Sequence, residues 1–317
     1  MTAPLDIVDI HTHLWPPNWG PGGKYAKPAS GFAPEIYRKI TTPQALVDEF
    51  QSAGVSLAIV TATIESLFGV EGPVDPVAVR EANDWLAGLS RNHPTLAGFG
   101  VVDAFGGEES AREAERAIGE LGLAGLVIDS SRDGKFLADP AVRPMLEVAA
   151  RHKVPVFVHP VAHPNAEVLI AGAGMLGNSL GRGLMNGVAF LSVIQSPLLK
   201  ELPDLHLIFA TLGLGAIVQA ARGGIYGRTE RASGKRPNIY FDTMGHDPAI
   251  VRTLTGFFGA ERVLAGTDWP ILAVLDQKGL AASLAEAGLN EAEQRLVAGG
   301  NARRLLELRD TKAEAAE

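Results

Sequence analysis

Two histidines, one residue apart, lie at the end of the first apolar segment of the chain. His11 and His13 follow the run Leu5–Ile10. Because successive side chains of a β-strand point to opposite faces, two residues spaced in this way point to the same face. Imidazole nitrogens are good ligands for zinc and for neighbouring first-row metals. The pair therefore indicates a metal site at the end of this strand.

Matching polar residues lie at the ends of two later apolar segments. His159 ends the run Val154–His159, and Asp268 follows the run Arg262–Ala265. Taken singly, each residue could be a polar cap of a strand or a loop. Together, three imidazoles and one carboxylate can surround one divalent ion and leave a position for water, as catalytic zinc sites do. Zinc is the first expectation, and manganese, iron and cobalt suit the same ligands.

The elements that must position these residues alternate between short apolar runs and longer amphipathic segments. Eight such repeats predict parallel βα units and, at this length, a single-domain (β/α)8 TIM barrel. An open doubly wound sheet is the alternative, but no Gly-x-Gly-x-x-Gly follows the first strand. The predicted strands are Leu5–Ile10, Ser56–Ala62, Leu96–Val102, Gly125–Ile128, Val154–His159, Leu205–Thr211, Asn238–Asp242 and Arg262–Ala265. The predicted helices are Pro43–Ala53, Pro76–Asn92, Glu108–Leu121, Pro140–His152, Leu184–Glu201, Pro248–Phe258, Lys278–Ala287 and Glu291–Leu308.

Two stretches interrupt this alternation and predict loop insertions after strands 1 and 5. Trp15–Lys39 is rich in Pro, Gly and aromatic residues, and His163–Gly183 is rich in glycine. Active sites of barrels lie at the carboxyl ends of the strands, so both stretches are expected to shape the pocket, Trp15 included. His163 and His246, which follow the fifth and seventh strands, are further candidates to line the site.

Composition and charge exclude several classes of function. Of the 317 residues 46% are apolar, and the net charge is −8 with no basic patch, which argues against nucleic-acid binding. No uninterrupted apolar stretch is long enough to span a bilayer, and no cysteine is present for disulfide or thiolate chemistry. Without a signal peptide, a cytoplasmic location is expected. We expect one domain over residues 1–309, a frayed tail over 310–317, and a small-molecule partner.

Four motifs carry a family resemblance that covers nearly the whole chain. They are Asp9–Pro16 (DIHTHLWP), Val158–Pro160 (VHP), Phe257–Pro270 (FFGAERVLAGTDWP) and Gly299–Leu306 (GGNARRLL). In these motifs the chain resembles the amidohydrolase superfamily. The closer resemblance is to the amidohydrolase-related branch, which includes amino-carboxymuconate-semialdehyde decarboxylase and the resorcylate-type decarboxylases. The motifs are specific for the branch and do not specify a substrate.

The resemblance implies that His11, His13, His159 and Asp268 bind one divalent metal ion. In the fourth strand, Asp129-Ser130-Ser131 contains no lysine to bridge two metals, which favours one ion over two.

The resemblance also implies binding residues for a substrate carboxylate. Arg222 matches an arginine that, in the decarboxylase, reaches the substrate of a neighbouring subunit, so a homodimer is expected. Arg38 loosely matches a second carboxylate-binding arginine, although its spacing to Pro43 is off by one.

One position departs from the family pattern. The sixth strand of the family ends in a histidine that acts as general acid and base, and this chain has Thr211 there. A threonine hydroxyl is a poor base at neutral pH. Either His246, His163 or Asp268 takes the role, or the reaction differs, or activity is lost.

Three functions are consistent with these residues. The first is a metal-dependent, non-oxidative decarboxylase of a small unsaturated or aromatic carboxylic acid. The second is a hydrolase of a lactone, ester or amide, with or without a metal. The absence of the sixth-strand histidine favours it, because a metal-bound hydroxide attacks carbonyls directly. The third is a ligand-binding barrel without catalysis, which Thr211 supports and the four metal-type residues argue against.

Overall fold

The computed structural model describes residues 4–20, 22–26, 33–222, 238–272 and 274–308. Eight parallel strands pair in the order in which they follow one another along the chain. They are β1 (Ile7–His13), β2 (Val55–Thr61), β3 (Leu96–Val101), β4 (Gly125–Asp129), β7 (Pro155–His159), β8 (His206–Phe209), β9 (Ile239–Asp242) and β10 (Val263–Leu264). A short antiparallel pair, β5 (Ser131–Arg132) and β6 (Lys135–Phe136), follows β4.

Main-chain hydrogen bonds join the first strand to the last and close the sheet into a barrel. Ile10 N donates to Ala265 O at 3.0 Å, and His13 N donates to Trp269 O at 2.8 Å. A parallel bridge between Thr12 and Trp269 extends this junction. The predicted (β/α)8 TIM barrel is therefore confirmed, and the open sheet is not observed. We call the carboxyl-terminal end of the strands the mouth of the barrel.

Helices connect the strands. Three of them have the predicted bounds, and a fourth differs by one residue at each end: these are Pro43–Ala53, Pro76–Asn92, Pro248–Phe258 and Gln277–Glu286. In Pro76–Asn92 and Pro248–Phe258, Asp75 and Asp247 cap the first turn by accepting backbone N–H bonds. The helices are Pro34–Ile40, Pro43–Ala53, Ile64–Phe68, Pro76–Asn92, Glu108–Glu115, Arg143–His152, Ala166–Ala173, Met175–Gln195, Leu198–Glu201, Leu214–Arg222, Pro248–Phe258, Gln277–Glu286, Glu291–Arg295 and Asn301–Glu307. Single π turns at Arg116–Glu120 and Leu296–Gly300 extend two of them.

The segment after β7 corrects the sequence-based expectation of a loop over His163–Gly183. It forms the helices Ala166–Ala173 and Met175–Gln195. The glycines within the second of these helices serve close packing: a Cβ at Gly183 would overlap the carbonyl oxygen of Leu212. Glycine content therefore marks the face of a helix that lies against the mouth of the barrel.

Alternate residues of each strand pack on opposite sides of the sheet. Val127 and Phe157 belong to one buried apolar layer, and their neighbours along the strands belong to the layer against the helices. The ring of His11 lies 4.6 Å from that of Phe157, so this layer forms the floor of the site. Two residues further along the same strands come Asp129 and His159, which consequently point into the mouth.

Several expectations concern residues outside the described ranges. The proposed tail over 310–317 lies there, as does part of the loop Trp15–Lys39. In the described part of the chain, no helix is long and apolar enough to cross a membrane.

Candidate metal centre

The structure brings the four predicted ligands together at the mouth of the barrel. One ligand atom from each of His11, His13, His159 and Asp268 lies within 4.8 Å of the others, and we call these residues the ligand cluster. The Nε2 atoms of His11 and His13 are 3.1 Å apart. Asp268 Oδ1 lies 3.0 Å from His13 Nε2 and 3.4 Å from His11 Nε2.

Hydrogen bonds on the far side of two imidazoles fix their orientation. His11 Nδ1 donates to Asp242 Oδ2 at 2.5 Å, and His13 Nδ1 lies 2.9 Å from Thr61 Oγ1. Because Nδ1 of each ring is engaged in a hydrogen bond, Nε2 is the nitrogen that faces the cluster. Carboxylates and hydroxyls commonly hold metal-bound histidines in this way.

A glycine makes room for the contact between His11 and Asp242. A Cβ at Gly266 would lie 3.1 Å from the Cβ atoms of both residues and 3.2 Å from Ile10 Cγ2. Because Cβ atoms in proteins rarely lie that close to other side-chain atoms, a larger residue at this position would push the two side chains apart. Gly266 is therefore part of the support of the site.

Asp268 occupies a turn that Asp9 fastens to the first strand. Its φ is +64°, an uncommon value for a residue other than glycine. Asp9 is fully buried and accepts hydrogen bonds from His11 N at 3.0 Å and from Thr267 N and Oγ1 at 3.1 and 2.6 Å. Asp268 N in turn donates to His11 O at 2.8 Å. These bonds set the carboxylate beside the histidines.

The protonation states in the cluster suit metal binding. Burial lowers the pKa of His13, and burial with the nearby His13 and His11 puts the pKa of His159 well below its usual value. Both rings are therefore neutral at neutral pH. Burial alone would raise the pKa of Asp268, but the adjacent His11 and His13 outweigh it and keep the carboxyl ionised. Metal ligation requires these forms.

The charge around His11 also favours a cation. Burial acts to lower the pKa of His11, but Asp268 and Asp242 outweigh it and raise the pKa. Two carboxylates therefore stabilise positive charge at a point where three imidazole nitrogens and an oxygen converge. The donor set fits one divalent metal ion.

Thr211 supports Asp242 and does not reach into the cluster. Its N–H donates to Asp242 Oδ1 at 2.9 Å, and its hydroxyl donates to the Asp242 carbonyl oxygen. Thr211 thus holds the carboxylate that orients His11.

The remaining predicted residues lie outside the ligand cluster. His163 Nδ1 accepts from Asn165 N at 3.0 Å, and the ring of Trp15 packs edge-on against Tyr37. His246 is half-buried, Arg38 is exposed on Pro34–Ile40, and Arg222 ends a helix with a side chain outside the described part of the structure.

Sequence reasoning missed two groups of residues at the mouth. Asp242 ends a correctly predicted strand. The rule that polar residues at the carboxyl ends of barrel strands face the site, which identified His159, applies to Asp242 as well. Glu65 and Arg182 form an ion pair with Nη1–Oε2 at 2.8 Å. No sequence signal predicts that pair, because the glycine-rich stretch around Arg182 predicts a loop.

Comparisons with known proteins identify two related decarboxylases. The chain is 27% identical to 2-amino-3-carboxymuconate-6-semialdehyde decarboxylase of Dictyostelium discoideum, over 96% of this chain and 92% of the relative. It is 28% identical to gamma-resorcylate decarboxylase of a Polaromonas species, over 72% and 76% of the two chains.

A solved structure shares the fold. 5-Carboxyvanillate decarboxylase of Novosphingobium aromaticivorans, in complex with manganese, has a TM-score of 0.76 at 19% identity, over 96% of both chains. The model of the amidohydrolase family matches residues 8–308. With its histidines and aspartate gathered at the mouth of the barrel, this chain belongs to the amidohydrolase family.

Proposed function

We propose that this protein is a metal-dependent enzyme that decarboxylates a small aromatic or unsaturated carboxylic acid without oxidation. The observation that carries the proposal is the ligand cluster at the mouth of the barrel. Support comes from relatives that match most of the chain and are decarboxylases of such acids.

The reaction needs a group that handles one proton. When the carboxyl carbon leaves as carbon dioxide, the electron pair of the broken bond stays on the substrate carbon, which then takes up a proton. When bound, a divalent ion would supply Lewis-acid polarisation of substrate oxygen. Asp268 is our candidate for the proton transfer, since its side chain is 17% exposed in an otherwise almost closed cluster. Because its pKa is low, it must first accept a proton from the substrate or from water.

Solvent deuterium provides the test of this function. Metal-loaded protein is incubated in deuterium oxide with hydroxybenzoic and unsaturated acids, and both carbon dioxide and the product are analysed. We expect equimolar carbon dioxide and a product with one deuteron on the carbon that lost the carboxyl group. The matched control is His11→Ala, which should show neither. Acid release without carbon dioxide would overturn the proposal.

A hydrolase of a lactone, ester or amide is the second candidate. The observation that favours it is Thr211, whose hydroxyl is engaged with Asp242 at the place where the family's acid and base histidine stands. The same incubation with lactones and esters distinguishes the two reactions, because hydrolysis releases an acid and no carbon dioxide. Ligand binding without either product would instead support a non-catalytic barrel.

For the metal we propose zinc, with manganese as the alternative. Three imidazoles and one carboxylate suit both ions, and a related decarboxylase was solved with manganese. Elemental analysis of protein purified without added metal or chelator should find about one ion per chain. Its loss in His11→Ala would connect the ion to the cluster.

We further propose a homodimer. Five large apolar side chains are 54–79% exposed on the two helices that follow β7; this apolar patch consists of Val168, Met175, Leu176, Leu180 and Leu184. Exposed apolar clusters commonly mark protein interfaces, and a second copy would cover this one. The proposed role of Arg222 in the site of a neighbouring subunit requires such an assembly.

A further inference from the structure

The helix Met175–Gln195 carries an arginine to the mouth of the barrel. Glycines at its contacts allow a close approach: a Cβ at Gly187 would lie 2.8 Å from Ala216 Cβ, and one at Gly181 would lie 2.9 Å from His163 Cβ. Asn186 Nδ2 donates to Ala210 O at 2.7 Å and fastens the helix to the end of β8. Arg182 lies on this packed part of the helix.

Three hydrogen bonds hold the guanidinium of Arg182 beside the metal centre. Nη1 donates to Glu65 Oε2 and to the carbonyl oxygen of Pro160, both at 2.8 Å, and Nη2 donates to Glu65 Oε1 at 2.9 Å. Pro160 directly follows the cluster residue His159. The guanidinium is thus anchored to Glu65 and to the residue that follows His159 in the chain.

Arg182 is close to the cluster in the fold and is partly open to solvent. Its contact with the Pro160 carbonyl places the guanidinium near the strand end that carries His159. The Arg182 side chain is 26% exposed, so solvent reaches part of it. Both features suit a residue that meets a ligand at the mouth.

The guanidinium keeps hydrogen-bonding capacity for a ligand. An arginine has five N–H donors, and three bonds to described residues leave two donors for a further acceptor. The planar fork of arginine matches the two oxygens of a carboxylate. Glu65, with its side chain 13% exposed, orients the fork and limits its movement.

We propose that Arg182, positioned by Glu65, binds the carboxylate of the substrate from within the same subunit. This inference rests on the proposed function in one respect, namely that the substrate is a carboxylic acid. Arg182 is distinct from the two arginines implied by the family resemblance: Arg38 is exposed on another helix, and Arg222 would come from a second subunit. Arg182 would make each subunit able to select anionic over neutral ligands.

Binding of two probes that differ in charge tests the proposal. Salicylate and salicylamide have nearly the same shape, and only salicylate is an anion at neutral pH. Their dissociation constants for the metal-loaded protein are measured by isothermal titration calorimetry. We expect wild type to prefer salicylate, and Arg182→Met to bind salicylate about ten-fold more weakly while binding of salicylamide stays within about two-fold.

Additional variants separate anion binding from a purely structural role of the ion pair. Arg182→Met leaves the carboxylate of Glu65 without its partner and can destabilise the fold. The double variant Glu65→Gln/Arg182→Met restores charge balance and should show the same loss of salicylate binding at wild-type metal content. Arg182→Lys should retain part of the preference, and Arg295→Met, an exposed arginine on another helix, should behave as wild type.

The outcomes are distinct from those of the decarboxylation test. Equal affinity of wild type for the two probes, or wild-type salicylate binding by the double variant, would overturn the role of Arg182. Charge-selective binding that depends on Arg182, in a protein that releases no carbon dioxide, would retain that role and reject decarboxylation.

Discussion

Asp242 determines how His11 presents its nitrogen to the ligand cluster. It accepts from His11 Nδ1 and is itself held by two bonds from Thr211. The side chain of Asp242 is fully buried, so this charge is not weakened by solvent. The orientation of His11 therefore depends on a residue outside the ligand cluster.

Asp242→Asn should weaken metal binding without removing a ligand. The amide oxygen can still accept from His11, but the negative charge that favours a cation is lost, and we expect an affinity about 10–100-fold lower. Competition with a chromogenic chelator measures the affinity. Asp204→Asn, an exposed carboxylate with a side chain 58% accessible, is the matched control. Unchanged affinity in Asp242→Asn would contradict the orienting role.

Thr211→Val should reduce stability more than it reduces metal affinity. Valine keeps the shape but removes the hydroxyl that donates to the buried Asp242 carbonyl, at a cost of about 1–3 kcal/mol in the free energy of unfolding. Urea denaturation of the metal-free variant measures this cost. A large loss of turnover at wild-type stability would instead identify Thr211 as a participant in the chemistry.

At the scale of elements, the barrel strands could be predicted because buried parallel strands are short, apolar and bounded by polar residues. The polar residues that bound three of these strands include all four predicted ligands. The prediction was wrong for residues 175–183, the first part of the helix Met175–Gln195, where glycines that permit close packing resemble the glycines of a loop. Contacts made by that helix, such as the bonds from Arg182 to Glu65, depend on tertiary packing and leave no local pattern.

Gly183→Ala should destabilise the protein and displace this helix. The added methyl group would overlap the Leu212 carbonyl oxygen, and overpacking of this kind costs about 1–3 kcal/mol. Thermal unfolding reports the cost. Gly256→Ala is the matched control, since that helical glycine has nothing within 4 Å of the added carbon and should gain about 0.5–1 kcal/mol. Equal behaviour of both variants would contradict the packing role.

His206 at the start of β8 should make the fold sensitive to acid. Burial, with a contribution from Arg262, lowers the pKa of His206 to about 4. The folded state thus favours the neutral ring, so its stabilisation is complete above about pH 6.5 and is lost as the pH falls towards 4. His206→Phe keeps a ring beside Tyr240 and should flatten the dependence of unfolding free energy on pH in this range. If this pH dependence were unchanged in the variant, groups other than His206 would be responsible for the acid sensitivity.

At the scale of the whole molecule, the apolar patch predicts self-association. Leu176→Glu/Leu180→Glu places two charges on residues that are 79% and 68% exposed, and it should convert a dimer to a monomer without unfolding it. Light scattering after size-exclusion chromatography measures the mass. Val77→Glu, at a 52% exposed residue on Pro76–Asn92, is the control and should leave the mass unchanged. A monomeric wild type would overturn the dimer proposal.

The junction between β1 and the turn after β10 has a consequence for how the protein is made. His13 and Asp268 are 255 positions apart in the chain, yet their ligand atoms are 3.0 Å apart. A nascent chain on the ribosome carries all three histidines long before Asp242 and Asp268 emerge. Until then it lacks both carboxylates that favour a cation at His11. The complete ligand cluster can therefore assemble only when synthesis of the barrel is nearly finished.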